Sequence, residues 1–164
     1  MISQLVFASQ NFASHGIQDV QTSSNLYYRV PQGAAFPIND EQAVRTKIRD
    51  LIWRQSETFE KAGNRRKSDF MLIQDLCRIP ADTTKKTVSG RCRVTRRFLA
   101  KFCVGLKIDL IEANELFRLH SGELNTTNSF DYILYHALKD KDDISDFIDE
   151  VKRYCHLNLD RDSE

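Results

Sequence analysis

The sequence predicts a mainly α fold, a bundle of about six to seven helices in which two short helices meet at a tight turn, preceded by a short irregular or β-containing N-terminal arm. Three observations carry this expectation. Apolar residues recur at helical spacing over most of positions 41–155. Ser, Thr, Asp or Asn stands just ahead of most of these stretches, where a side-chain oxygen can accept from an otherwise unpaired first-turn N–H. Before residue 41 the pattern changes to short aromatic and β-branched runs, such as Leu26-Tyr27-Tyr28-Arg29-Val30, separated by polar residues.

The domain organisation follows from these changes of pattern. Residues 1–40 read as an arm or small hairpin closed by a loop at Pro31, Gly33 and Pro37. Residues 41–155 read as one helical domain, and 156–164 as a flexible polar tail. A chain of 164 residues is long enough to build one sizeable core. The first helix starts after Asn39 or Asp40 and places Val44, Ile48, Leu51, Ile52 and Phe59 on one face, with Trp53 beside them as a further core residue. Gly63-Asn64 ends it.

Ser68 caps the next helix, whose apolar members are Met71, Leu72, Ile73, Leu76 and Cys77. Arg78-Ile79-Pro80 stops that helix, because proline lacks an N–H and disfavours the α conformation of the residue before it. Asp82 is the expected cap of a second helix over 83–89, which Gly90 closes in a left-handed conformation. Helix, short turn, helix is the arrangement that presents one helix to a DNA major groove. After it, Thr95 caps a helix carrying Phe98, Leu99, Phe102, Cys103 and Leu106, and Asp109 with Glu112 opens another carrying Ile111, Leu116, Phe117 and Leu119. Asn128 or Ser129 begins a helix with Phe130, Ile133, Leu134, Ala137 and Leu138. The last carries Ile144, Phe147, Ile148, Val151 and Tyr154, with Asp142-Asp143 at its positive end and Lys152-Arg153 at its negative end.

The stretch from Ile79 to Leu106, centred on Ser89-Gly90-Arg91-Cys92-Arg93-Val94-Thr95, resembles the end of a helix-turn-helix of the lambda-repressor/Cro type. In that family a glycine, a short basic loop and a capping Ser or Thr follow the recognition helix. The run Glu112-Ala113-Asn114-Glu115-Leu116-Phe117-Arg118-Leu119 and the segment 109–151 around it resemble a helical extension of some helix-turn-helix proteins of Gram-positive bacteria and their phages. The likeness spans about two thirds of the chain. It departs from the family at Gln74 and Arg78, where the family usually has a small residue and a glycine or other turn former.

Charge agrees with a nucleic-acid surface. Between Lys61 and Lys101 twelve basic residues stand against Asp69, Asp75 and Asp82, inside a chain whose net charge is only +1. The expected DNA-contacting residues are Thr83, Lys85 and Lys86 on the recognition helix, which would reach base edges, and Arg91, Arg93, Arg96 and Arg97, which would grip phosphates. Val88 and Thr84 or Thr87 face the core. A regulator of this size is expected to dimerise on double-stranded DNA, since one helix in one half-site gives little specificity.

No enzyme motif is present: no phosphate-cradling glycine loop, no H-E-x-x-H and no G-x-S-x-G. The cysteines Cys77, Cys92, Cys103 and Cys155 form no C-x-x-C pair, so neither a metal nor a cofactor is expected. Cys77 and Cys103 fall on apolar faces, and a reduced cytoplasmic protein is the default. No run approaches the roughly 18 apolar residues of a membrane span. The expectation is therefore a cytoplasmic helix-turn-helix transcriptional regulator. The alternative is a helix-turn-helix protein-interaction module with a protein partner, such as an antitoxin or a phage-encoded inhibitor of a nucleic-acid-processing (CRISPR) enzyme.

Overall fold

The computed structural model describes residues 39–161, which form seven α-helices and no strand. The expected arm or hairpin before residue 39, and the last three residues of the tail, lie outside the described residues. The helices are α1 (Glu41–Lys61), α2 (Asp69–Cys77), α3 (Ala81–Val88), α4 (Arg96–Gly105), α5 (Leu110–His120), α6 (Ser129–Asp140) and α7 (Ile144–Cys155). Among them no helix is long and apolar enough to cross a membrane.

Local capping sets most of the starts. Asp40, Ser68, Thr95, Asp109 and Asn128 each accept from a backbone N–H in the first turn of the helix that follows. Asp40 also donates its own N–H to the Leu119 carbonyl at 3.0 Å, which ties the start of α1 to the end of α5.

The core is organised around α4. Every residue from Phe98 to Gly105 is buried, and the helix packs against α2, α5, α6 and α7. A helix buried on all sides must be approached closely somewhere, and Gly105 is that place. A Cβ there would lie 2.5 Å from the Leu76 carbonyl oxygen and 2.6 Å from the Cys77 Cα. The small residue at this junction therefore sits on α4, not within α2. Cys77 and Cys103 are buried free thiols beside it, and burial pushes the Cys77 thiol up to about 12.

Several expectations about the periphery need correction. Trp53 is 63% exposed and Ile111 81% exposed. On α1 the buried face is Val44, Ile48, Leu51 and Ile52, and at about 100° per residue position 53 turns away from it. Ile111, in the first turn of α5, points away from the buried Ala113, Leu116 and Phe117. Met71 and Tyr154, read as apolar-face residues, are also largely exposed. The described part of the tail, residues 157–161, returns to the bundle: Leu159 is buried, its carbonyl accepts from Lys101 Nζ at 3.1 Å, and Asp160 receives Arg78 Nη2 at 2.7 Å. Lysine at position 101 is buried on α4 with a donor to satisfy, and the tail supplies the acceptors.

Candidate nucleic-acid interface

The geometry of α2 and α3 is set at the break between them. Arg78 adopts a left-handed conformation, φ 54°, without being glycine, so the chain reverses there at a modest steric cost. Asp82 does not cap α3, a correction to the sequence reading. The helix begins two residues earlier, after Pro80, whose side chain makes no capping bond. Gln74 fills the role instead: its Oε1 accepts from the Ala81 N–H at 2.9 Å. Asp82, inside the first turn, pairs with Lys86 at 2.8 Å. The Lys86 ammonium bound to it holds the Asp82 carboxyl below its ordinary value, with Lys85 and Arg91 adding to the effect.

α3 has one buried side and one exposed side. Thr84 and Thr87 are buried and Val88 is half-buried, whereas Asp82, Lys85 and Lys86 are exposed. The Thr84 hydroxyl has no hydrogen-bond partner among the described residues. Gly90, φ 85°, closes the helix, and both Arg91 and Cys92 return their N–H groups to the Lys86 carbonyl. The basic loop thereby turns directly off the end of α3.

Three residues of α1 fasten this end of the motif, and sequence reasoning missed them. Arg45 donates to the Thr87 carbonyl at 3.1 Å and to the Cys92 carbonyl at 3.4 Å, and Arg49 donates to the Val88 carbonyl at 2.9 Å. Glu41 accepts from the Val94 N–H at 3.0 Å and pairs with Arg45 at 2.8 Å. Although burial opposes it, the Val94 N–H and the Arg45 charge hold the Glu41 carboxyl below its ordinary value. From the other side, His120 Nε2 lies 2.8 Å from the Val94 carbonyl, so that nitrogen donates. The only local signal for this bracket was the i,i+4 spacing of Glu41 and Arg45; the remaining contacts join residues more than 20 positions apart.

The expected DNA-contacting residues do not all fall together. Thr83, Lys86, Arg93 and Arg97 line one concavity beside α3. Lys85 and Arg91 are exposed outside it. Arg96 is elsewhere. Its guanidinium meets the Asp131 carboxylate through Nε at 3.2 Å and Nη2 at 2.7 Å, and donates to Ser121 Oγ and the Gly122 carbonyl, each at 2.8 Å. It also lies 4.9 Å from the centroid of the Phe117 ring. Arg96 thus links α4 to α5 and α6; Asp131, buried at its partner position, would otherwise be an unpaired charge.

Among the described residues no group of three or more His, Cys, Asp and Glu side chains is placed to hold a metal ion. No family model matches the chain, and no curated protein or solved structure matches it.

Proposed function

We propose that this protein is a cytoplasmic, sequence-specific DNA-binding regulator that inserts α3 into the major groove, acting as a homodimer. The observation that carries the reading is the two-sidedness of α3. Its inner threonines are buried against the bundle while Lys85 and Lys86 project outward, and the exposed Arg91 and Arg93 follow at once on a loop pinned to the helix end. Lysine can donate to guanine O6 and N7 in the major groove, and arginines flanking a recognition helix fix its register on phosphates.

Roles divide by position. Lys85, and Lys86 once it leaves its solvent-exposed pair with Asp82, read base edges together with Thr83. Arg91 and Arg93 grip the backbone, with Arg97 beside them, and Arg96 has no part in it. The test is selection of bound duplexes from a random pool by the full chain and by two variants. Lys85→Ala is expected to shift the selected sequence at one position in each half-site, and Arg91→Ala to retain the wild-type sequence at lower affinity. Equal losses with unchanged sequence for both variants would contradict the division, and failure to select any site would point to a protein partner for the basic face.

A further inference from the structure

Arg78 stands at the turn between α2 and α3 with φ 54°, a left-handed backbone that disfavours any residue with a Cβ. Glycine adopts that conformation without strain, so what an arginine adds at this place is its side chain. The guanidinium donates to Asp160 Oδ2 at 2.7 Å and to Ser145 Oγ at 3.5 Å. It thereby ties the turn to the start of α7 and to the tail, 82 positions away.

The tail is shaped for this contact. It leaves α7 through His156, also left-handed at φ 56°. Asn158 then closes a turn: its side-chain oxygen accepts the Asp160 N–H at 3.1 Å and its carbonyl accepts the Arg161 N–H at 3.2 Å. Leu159, within that turn, is buried and lines the same concavity as Ile79, Thr83 and Thr87. The Leu159 carbonyl and Asp160 both meet Lys101 Nζ, at 3.1 and 3.5 Å. Residues 159 and 160 therefore hold α4, through Lys101, and the turn before α3, through Arg78, at once.

We propose that residues 157–160 act as a strap that sets the position of α3, with Arg78 as the hinge it holds. α3 starts three residues after Arg78, and its first N–H, that of Ala81, is bonded to Gln74 Oε1 of α2. While Asp160 grips Arg78 the turn keeps its left-handed setting. On release the strain favours other settings of residue 78, and α3 is free to shift against α2. The coupling is reciprocal: a partner that moves α3 loosens the strap, and one that captures the tail loosens α3. The Arg78 and Asp160 side chains are 45% and 39% exposed, so the pair is of modest energy and opens without unfolding the bundle. None of this depends on what α3 contacts.

The experiment is hydrogen–deuterium exchange of the full chain, alone in solution, as wild type, as Asp160→Asn, as Arg78→Gly and as the double variant. Asp160→Asn should speed amide exchange over residues 81–88 by about fivefold, the scale of one half-exposed ion pair, while residues 129–140 exchange as in the wild type. Arg78→Gly removes both the strain and the grip, so adding Asp160→Asn to it should change exchange in α3 little further. A tail that only covers the bundle gives a different pattern. Acceleration confined to residues 157–161, acceleration spread evenly over all helices, or the same effect of Asp160→Asn in both backgrounds would each overturn the proposal. Should the double variant lose its helical spectrum, the contrast between α3 and α6 in Asp160→Asn alone still decides.

Discussion

Arg96 and Asp131 form a two-pronged ion pair, Nε to Oδ1 at 3.2 Å and Nη2 to Oδ2 at 2.7 Å, at the junction of α4 with α6. The Asp131 side chain is 7% exposed, and its Oδ2 also accepts the Asn125 N–H. One arginine of the basic stretch is therefore a structural strut between α4 and the two helices that follow it. Removing one partner of a buried pair strands the other charge, so Arg96→Ala should lower unfolding free energy by about 3 kcal/mol. Arg96→Lys should recover only part, because an ammonium cannot reproduce the fork. Urea denaturation measures both. An unchanged stability would show that the pair does not hold α4 to α6.

The hydroxyl of Thr84 is buried without a partner among the described residues. Valine has nearly the same shape and lacks the polar atom. Thr84→Val should therefore raise stability by about 1 kcal/mol, read as an upward shift of Tm with the helical spectrum unchanged. A loss of stability would mean that the hydroxyl has a partner that the static geometry does not show.

How far the sequence reveals this fold depends on the range of each interaction. Ser68, Thr95 and Asn128 are legible as caps because each bonds within three residues of itself. The cap of α3 is not, because Gln74 reaches seven positions along the chain across a turn, and Asp82 is the nearer capping residue type. Arg78 resembles a departure from the motif until its left-handed φ shows that it fills the turn position itself. The buried face of α1 is visible in its periodicity, but whether Trp53 is covered depends on what packs beside that face, which periodicity cannot say. In the candidate interface, residue type and order pick out Lys85, Arg91 and Arg93, which are exposed, whereas the commitment of Arg96 to Asp131 spans 35 positions and leaves no local trace.

Glu41 gives the account a pH signature. Its carboxyl is held below the ordinary value of 4.5 by the Val94 N–H and Arg45, against the opposing effect of burial. A group with a depressed folded pKa contributes stability above its unfolded pKa and loses it as the pH falls through the folded one. Glu41→Gln should therefore be less stable than the wild type near neutrality, with the gap closing in the acid range below about pH 4.5. Thermal melts at a series of pH values check this. A gap that stays constant down to the lowest pH would show that the carboxylate charge is not what fastens the loop to α1.

The most direct test of the central claim is the salt dependence of binding to duplex DNA, followed by fluorescence anisotropy between about 50 and 200 mM salt. The account predicts a linear fall of log affinity with log salt, at a slope of about −0.9 for each phosphate contacted. Arg91→Ala and Arg93→Ala should each reduce the slope by about one contact, and Arg96→Lys should leave it unchanged. Absence of binding at the lowest salt, or affinity that does not respond to salt, would contradict the claim that this basic face meets DNA.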